Sequence, residues 1–165
     1  MKVKAVINSA KGKAMNNEKS VELLNTIIEI NNDRVAGYER AVEETEEPGL
    51  GNLFSECAET SKKCRQELIV EVQRLGGAPT RNTKVAGDVF RAWMSIKTEL
   101  TAHHNKPILN SCVLGEEAAL EVYDNALNNH LDDLTDEQQT LLNNQRVLLR
   151  YEYDKLKSQR DMIVT

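Results

Sequence analysis

The sequence predicts an all-α protein with four long helices. Among its 165 residues only 4% are aromatic, three are proline and eight are glycine. Leu, Ala, Glu, Lys, Asn and Gln are plentiful, and this composition favours helices over strands. Apolar residues also recur three or four positions apart in four long stretches, which is the period of a helix with one buried face. The length suits one domain with a core of its own.

Helices one and two are predicted on either side of a Pro-Gly turn. The first runs from about Glu18 to Glu46, and the second from about Leu50 to Leu75, where two glycines follow and favour a helix end. Their apolar stripes are Val21, Leu24, Ile28, Val35, Tyr38 and Val42 in the first, and Phe54, Cys57, Cys64, Leu68 and Leu75 in the second.

Helix three is predicted from Pro107, a favoured first-turn residue, to about Asn129. Helix four follows Thr135, which can cap it while Gln138 reaches back in a capping box, and extends to about Met162. Between helices two and three, residues 78–87 read as a loop. Residues 88–100 have apolar residues at helical spacing, including Trp93, and are predicted as a short extra helix.

The connections predict the topology. Short turns join helix one to two and helix three to four, whereas about thirty residues separate helix two from helix three. This is the connectivity of ferritin-like folds. We therefore predict an all-α, ferritin-like four-helix bundle with a long crossover that carries a short extra helix.

Residues 1–16 are predicted to be an N-terminal extension, and residues 17–165 the bundle domain. The extension contains four lysines and no acidic residue, and it has no sustained helical period. Residues 3–7, "VKAVI", fit a short strand or a contact with a neighbour.

An internal repeat is visible at a shift of 85 residues. It places helix one on helix three, with Tyr38 on Tyr123 and the polar Asn31 on Glu116. For helices two and four the register stays open, since the same shift pairs Glu67 with Glu152, whereas a shift of 88 pairs the apolar residues better. The other matched positions of helices one and three are Leu24 and Leu109, Ile28 and Val113, Val35 and Leu120, Ala41 and Ala126, and Val42 and Leu127.

Charge and motifs exclude several classes of function. A net charge of −5 argues against nucleic acid as a partner. No apolar run reaches the roughly 20 residues that cross a membrane, and no signal peptide is recognisable, so we expect no membrane association and a cytoplasmic protein. The three cysteines contain no C-x-x-C pair and read as buried thiols, with redox or metal chemistry as the alternative. Phosphate-binding loops, nucleophile elbows and H-E-x-x-H motifs are absent, so no catalytic residue is predicted.

Inward carboxylates are the candidate functional residues. A buried, unpaired carboxylate costs several kcal/mol, so each must be paired, protonated or bound to metal. Glu39, Glu67, Glu116 and Glu152 supply one carboxylate from each helix, the raw material of a site for two iron or manganese ions. The alternative is that Lys, Arg, Tyr or water satisfies these carboxylates at the rim of the bundle.

The histidines of such a site are missing. It needs Glu-x-x-His on two helices, but Val70 stands three residues after Glu67, and Lys155 three after Glu152. The chain's histidines, His103, His104 and His130, lie in the turn before helix three and just after that helix. We therefore expect the remnant of a metal-site layout, with no cofactor.

Several stretches resemble an uncharacterised bacterial family of ferritin-like four-helix-bundle proteins, a domain of unknown function distantly related to rubrerythrins. They are "LNTIIEINNDRVAGYERAVEE", "LGGAPTRNTKVAGDVFRAWMSIKTELT", "GEEAALEVYDNAL" and "YDKLKSQRD". The resemblance covers about residues 20–162 and depends mainly on the Leu-Gly-Gly-x-Pro turn followed by Arg91-x-Trp93-x-x-x-Lys97. It implies a ferritin-like bundle and a stress-associated role, and it implies no known reaction.

The sequence thus predicts a non-enzymatic bundle with a structural, association or general stress-response role, acting as a homodimer. The alternative is a non-heme dimetal carboxylate protein that binds or oxidises iron or handles peroxide. A third hypothesis is partner binding through residues 1–16.

Overall fold

The computed structural model describes residues 2–82 and 105–163, with side chains described from residue 17 onward. It contains four long helices: α1 (Lys2–Glu44), α2 (Pro48–Arg74), α3 (Asn105–Asn129) and α4 (Asp136–Met162). A single 3₁₀ turn, Leu131–Asp133, joins α3 to α4, and no strand occurs within the described ranges. The predicted all-α bundle is confirmed.

The boundaries of α2, α3 and α4 agree with the predicted ones to within two residues, but α1 is longer than predicted. Its backbone is helical from Lys2, so the strand considered at residues 3–7 is wrong. Lys and Ala are good helix formers, and extending an existing helix is far easier than starting one. The segment therefore continues α1 without an apolar stripe. The domain boundary between residues 16 and 17 stays a prediction.

The ends of two helices follow from local chemistry. At the end of α2, Gly76 has a φ of +81°, and the amide of Gly77 donates to the carbonyl of Val72 at 3.0 Å. At the start of α4 the predicted capping box is present. The Thr135 hydroxyl accepts from the Gln138 amide at 3.1 Å, and the Gln138 side chain accepts from the Thr135 amide at 2.9 Å.

Packing explains the long crossover. α1 packs against α2 and α3, and α4 packs against α3 and α2. Hydrogen bonds between Asn31 and Tyr123, and between Thr45 and Asn105, show that α1 and α3 are antiparallel. Helices α2 and α3 are therefore diagonal neighbours with the same direction, so their connection must return along the bundle. Its first part, residues 78–82, runs beside α1, to which it is hydrogen-bonded. The predicted helix at 88–100, Trp93, His103 and His104 lie outside the described residues.

Two apolar clusters form the core, with a polar layer between them along the bundle. One cluster is centred on residues such as Leu24, Leu68 and Leu142, and the other on residues such as Phe54 and Leu109. The buried polar side chains of the intervening layer include Asn31, Arg34, Ser61, Glu116 and Glu152.

The internal repeat is visible in the pattern of burial. Asn31 and Glu116, and Tyr38 and Tyr123, are all fully buried. For α2 and α4 the shift of 88 residues matches buried with buried, whereas Glu67 is exposed and Glu152 is not. The buried pairs at that shift are Phe54 and Leu142, Cys57 and Gln145, Ser61 and Leu149, Cys64 and Glu152, and Leu68 and Leu156.

Candidate functional site

The carboxylate of Glu116 is held between α3 and α1. It lies on the buried face of α3 and is fully buried, as its place in the apolar stripe predicted. The Nε atom of Arg34 lies 3.1 Å from each Glu116 oxygen, and the Nη2 atom donates to Oε1 as well. The hydroxyl of Tyr38, one turn after Arg34 on α1, donates to the same oxygen.

Arg34 is the centre of the polar layer. Its side chain starts on α1, has no solvent exposure and reaches all three other helices. Besides Glu116 on α3, Nη2 donates to Oε1 of Glu152 on α4 at 3.1 Å, and Nη1 donates to the hydroxyl of Ser61 on α2. Its guanidinium carbon lies 5.3 Å from the ring centroid of Tyr38.

Glu152 completes the ion network from α4. It is 8% exposed, and its second oxygen accepts from the hydroxyl of Thr60 on α2 at 2.7 Å. Both oxygens of this carboxylate therefore have a partner. Hydrogen bonds to charged groups are stronger than neutral ones, so the network ties the four helices together at one level.

A second chain of hydrogen bonds lies at the position that the internal repeat relates to Tyr38 and Glu116. Asn31 donates to the hydroxyl of Tyr123 at 2.9 Å, and Tyr123 donates to Gln145 on α4 at 2.7 Å. Ser61 donates to Asn31 at 2.9 Å and thereby links this chain to Arg34. The pairs Tyr38 with Glu116 and Tyr123 with Asn31 are related by the 85-residue shift.

Burial and neighbouring charges both shift the pKa values of Glu116, Arg34 and Tyr38. Burial raises the pKa of Glu116, while the Arg34 guanidinium and the Tyr38 hydroxyl act to lower it. Burial has the largest single effect on the pKa of Arg34 and acts to lower it, but the interactions with Glu116 and Tyr38 together outweigh burial, and the pKa is well above its ordinary value. Burial, then Glu116, raise the pKa of Tyr38, which stays a neutral donor. The layer is therefore an ion network around a permanently charged guanidinium.

A comparison with protein families assigns the chain. Residues 19–129 match the family described as "Domain of unknown function (DUF2383)", which covers more than half of the sequence. The chain belongs to this family. A comparison with curated protein sequences finds no significant match.

Solved structures show that this member of the DUF2383 family has a ferritin-like fold. The Mycobacterium smegmatis Dps1 mutant F47E is 16% identical, with a TM-score of 0.72 over 88% of this chain and 97% of that one. The tetragonal form of M. smegmatis Dps is 15% identical, with a TM-score of 0.71 over 88% of each chain. The conserved hypothetical protein Rv2844 from Mycobacterium tuberculosis is 11% identical, with a TM-score of 0.64 over 87% and 96%.

The four carboxylates predicted as metal ligands do not converge. Glu116 and Glu152 meet at Arg34, but the side chain of Glu39 is 54% exposed and lies 3.4 Å from Nζ of Lys62. Glu67 is also exposed, and it accepts from Gln145 at 3.5 Å. This arrangement does not fit a dimetal site with one carboxylate from each helix.

Three side chains that can act as metal ligands do lie close together. The thiol of Cys57 and the carboxylates of Glu116 and Glu152 have ligand atoms within 4.8 Å of one another. Both carboxylates bind Arg34, and burial raises the pKa of the Cys57 thiol. In the structure, then, this cluster surrounds a cation that the chain itself supplies.

Sequence reasoning missed Arg34, Ser61 and Thr60, and it treated Cys57 mainly as a core residue, with metal chemistry as the alternative. For Arg34 a signal was available, since it stands three residues after Asn31 and four before Tyr38, both on the buried face of α1. Ser61 similarly lies between the stripe residues Cys57 and Cys64. The position of Arg34 or Ser61 in the sequence does not identify its partner, because the partners lie on other helices.

Among the described helices, none is long and apolar enough to cross a membrane.

Proposed function

We propose that this protein is a ferritin-like bundle without a resident metal, and that it acts by association with other chains and not by catalysis. The observation that carries this proposal is the fully buried guanidinium of Arg34, bonded to both inward carboxylates. A cation already neutralises much of the charge that a metal would neutralise. With Glu39 and Glu67 at the surface, too few carboxylates remain for two ions.

Metal content tests the first half of the proposal. Protein purified without chelator should contain less than about 0.2 iron or manganese ion per chain by elemental analysis. It should also oxidise ferrous iron no faster than a Glu116→Gln variant. About two ions per chain, together with iron oxidation that depends on Glu116, would establish the alternative of a non-heme dimetal protein.

The exposed face of α4 supports association with a second copy of the chain. Val147, Leu148 and Tyr151 are 65%, 40% and 59% exposed, and we refer to them as the α4 patch. Val147 and Tyr151 lie on the face of α4 opposite the core residue Leu149, and Leu148 lies on the flank between the two faces. Adjacent exposed apolar residues favour burial against a partner, and self-association into a closed dimer is the simplest such arrangement.

Sedimentation measurements test the proposed self-association. We expect wild-type protein to be dimeric at micromolar concentration, and Val147→Asp with Tyr151→Ser to make it monomeric with unchanged helix content. Leu114, 52% exposed on α3, provides the matched control, since Leu114→Asp should leave the dimer intact. A wild-type chain that stays monomeric would show that the α4 patch does not mediate self-association.

The cytoplasmic location and the general stress-response role stay predictions. So does partner binding through residues 1–16, a segment whose backbone is helical from Lys2. Deletion of residues 1–16 should then abolish capture of that partner without changing self-association.

A further inference from the structure

We propose that Cys57, Glu116 and Glu152 form a cation site whose occupant is the guanidinium of Arg34, and that a Zn²⁺-like divalent ion takes its place when that guanidinium is removed. This inference rests on the proposed absence of a resident metal. It concerns one mixed thiolate and carboxylate site, not the dimetal layout that the structure does not fit.

The internal repeat pairs Arg34 with a residue of very different chemistry. The 85-residue shift that pairs Asn31 with Glu116 also pairs Arg34 with Ala119, and all four residues are fully buried. Compared with α3, therefore, α1 has an amide in place of a carboxylate and a guanidinium in place of a methyl group. Together these two differences change the charge of the core by +2, which is the charge of one divalent ion.

The geometry of the cluster allows a small ion after modest movement. The three ligand atoms lie within 4.8 Å of one another, whereas ligand atoms around tetrahedral Zn²⁺ are about 3.3–3.8 Å apart. A contraction of about 1 Å, into space that the guanidinium leaves, would therefore bring them into range. The Ser61 hydroxyl, which now accepts from Arg34, lies beside the same space.

The ligand types define which ions would bind. A thiolate with two carboxylates suits borderline ions such as Zn²⁺ and Co²⁺, whereas Mg²⁺ and Ca²⁺ prefer oxygen ligands alone. Binding would also deprotonate Cys57, whose thiol is otherwise neutral because burial raises its pKa.

In the wild-type chain Arg34 should exclude such ions. Its guanidinium is covalently attached, so it occupies the cluster without loss of translational freedom, and three side chains satisfy its donors. An entering metal would leave the guanidinium buried without its carboxylates, which is strongly unfavourable.

Titration with cobalt chloride tests the inference. The Arg34→Ala variant should bind about one Co²⁺ per chain, at least about tenfold more tightly than wild type, with a sulfur-to-cobalt charge-transfer band in the near ultraviolet. Adding Cys57→Ser should remove that band. Arg34→Lys is the matched control, because it keeps a cation in the cluster and should bind no more cobalt than wild type.

A second variant covers a failure of Arg34→Ala to fold. Arg34→Gln removes the charge but keeps hydrogen-bond donors, and its thermal midpoint should rise with added Co²⁺ while that of wild type stays constant. If neither variant binds cobalt better than wild type, or if the band survives Cys57→Ser, the inference is wrong. Metal in the purified wild-type chain would instead contradict the proposed function, so the two failures are distinguishable.

Discussion

A guanidinium in a protein interior stabilises a fold only while its partners remain. Arg34 has such partners on three helices, and each of the two inward carboxylates depends on it in return. Removing one member of a buried ion network leaves the others charged and poorly solvated, which costs far more than losing a surface pair.

Replacing Arg34 by Ala should therefore lower the free energy of unfolding by about 3–5 kcal/mol in the absence of metal. Urea denaturation followed by circular dichroism measures this loss. Arg74→Ala is the control, because Arg74 pairs with Glu71 at the surface and its side chain is 57% exposed. A loss for Arg34→Ala no larger than the loss for Arg74→Ala would mean that the network does not stabilise the fold.

The cysteines provide a second prediction at this scale. All three are buried, and burial raises the pKa of Cys64 to about 12. At neutral pH that thiol has on the order of a thousandfold less reactive thiolate than an ordinary one. Iodoacetamide should modify Cys57, Cys64 and Cys112 only after denaturation, as shown by mass spectrometry of peptides. Rapid labelling of native Cys64 would contradict the burial described here.

The burial of Glu116 and Glu152 could be predicted from single residues, because each interrupts an apolar stripe whose other members are core residues. Their common partner, Arg34, could not be predicted in this way. Arg34 is 82 residues from Glu116 and 118 from Glu152, and helical periodicity contains no information across such distances. Glu39 and Glu67 only border their stripes, so a small rotation of the helix decides whether they face the core or solvent.

At the scale of an element, the turn after α2 determines how that helix meets α1. A Cβ atom on Gly77 would lie 2.6 and 2.7 Å from the two γ-methyl groups of Val21. Valine is short and branched, so these methyl groups cannot move aside easily. Gly77 is thus required for close packing, whereas Gly76 is required for its positive φ.

Gly77→Ala should lower the free energy of unfolding by about 1–3 kcal/mol, because the added methyl group overpacks this contact. Chemical denaturation measures the loss. Val21→Ala in the same chain should recover part of it, and a double-mutant cycle gives the coupling. Gly49→Ala is the control, since its nearest neighbour would be 3.9 Å away. Equal effects at Gly49 and Gly77 would exclude the steric explanation.

Glu71 connects the end of α2 to the start of α4. The hydrogen bond from Arg74 lowers the pKa of its carboxyl, burial opposes this, and a bond of 3.0 Å from Gln138 of the capping box lowers it further. The folded pKa is thus below the unfolded one. The stability that Glu71 contributes is present above the ordinary glutamate pKa and is lost as pH falls through the folded value.

Glu71→Gln should consequently be less stable than wild type at neutral pH, and the difference should shrink as pH falls below about 4.3. Urea midpoints over a pH series measure this. Arg74→Ala should remove most of the same pH dependence, since Arg74 is the principal cause. A constant difference at all pH values would mean that ionisation of Glu71 is not involved.

Most helix boundaries could be predicted because strong local signals mark them, such as the Pro-Gly turn before α2 and the capping box at Thr135. The beginning of α1 could not. Its first residues have helical propensity but no apolar stripe, and the periodic apolar pattern that predicts a helix begins only near Glu18.

At the scale of the whole molecule, α1 is much longer than its neighbour α2. Its 43 residues span about 64 Å, whereas the 27 residues of α2 span about 40 Å. Ser20 is the first buried residue described on α1, and residues 17–19 are exposed.

Deleting residues 1–16 should accordingly leave the thermal midpoint within about 2 °C of wild type, while the helical circular dichroism signal decreases. A deletion through Leu24, which is fully buried, is the contrasting variant and should destabilise the bundle severely. If the shorter deletion also unfolds the protein, residues 1–16 are an integral part of the domain and the predicted boundary at residue 17 is wrong.

The polar layer also constrains the order in which the chain can fold. A hairpin of α1 and α2 is local in sequence, but it gives the Arg34 guanidinium no carboxylate partner among the contacts described, only the Tyr38 ring and the hydroxyl of Ser61, 27 residues away. The two carboxylates arrive with α3 and α4, which follow α1 and α2 in the chain. Any half-formed bundle would bury an unpaired charge, so partly assembled states should be sparsely populated. The same arginine that closes the finished core therefore makes its assembly cooperative.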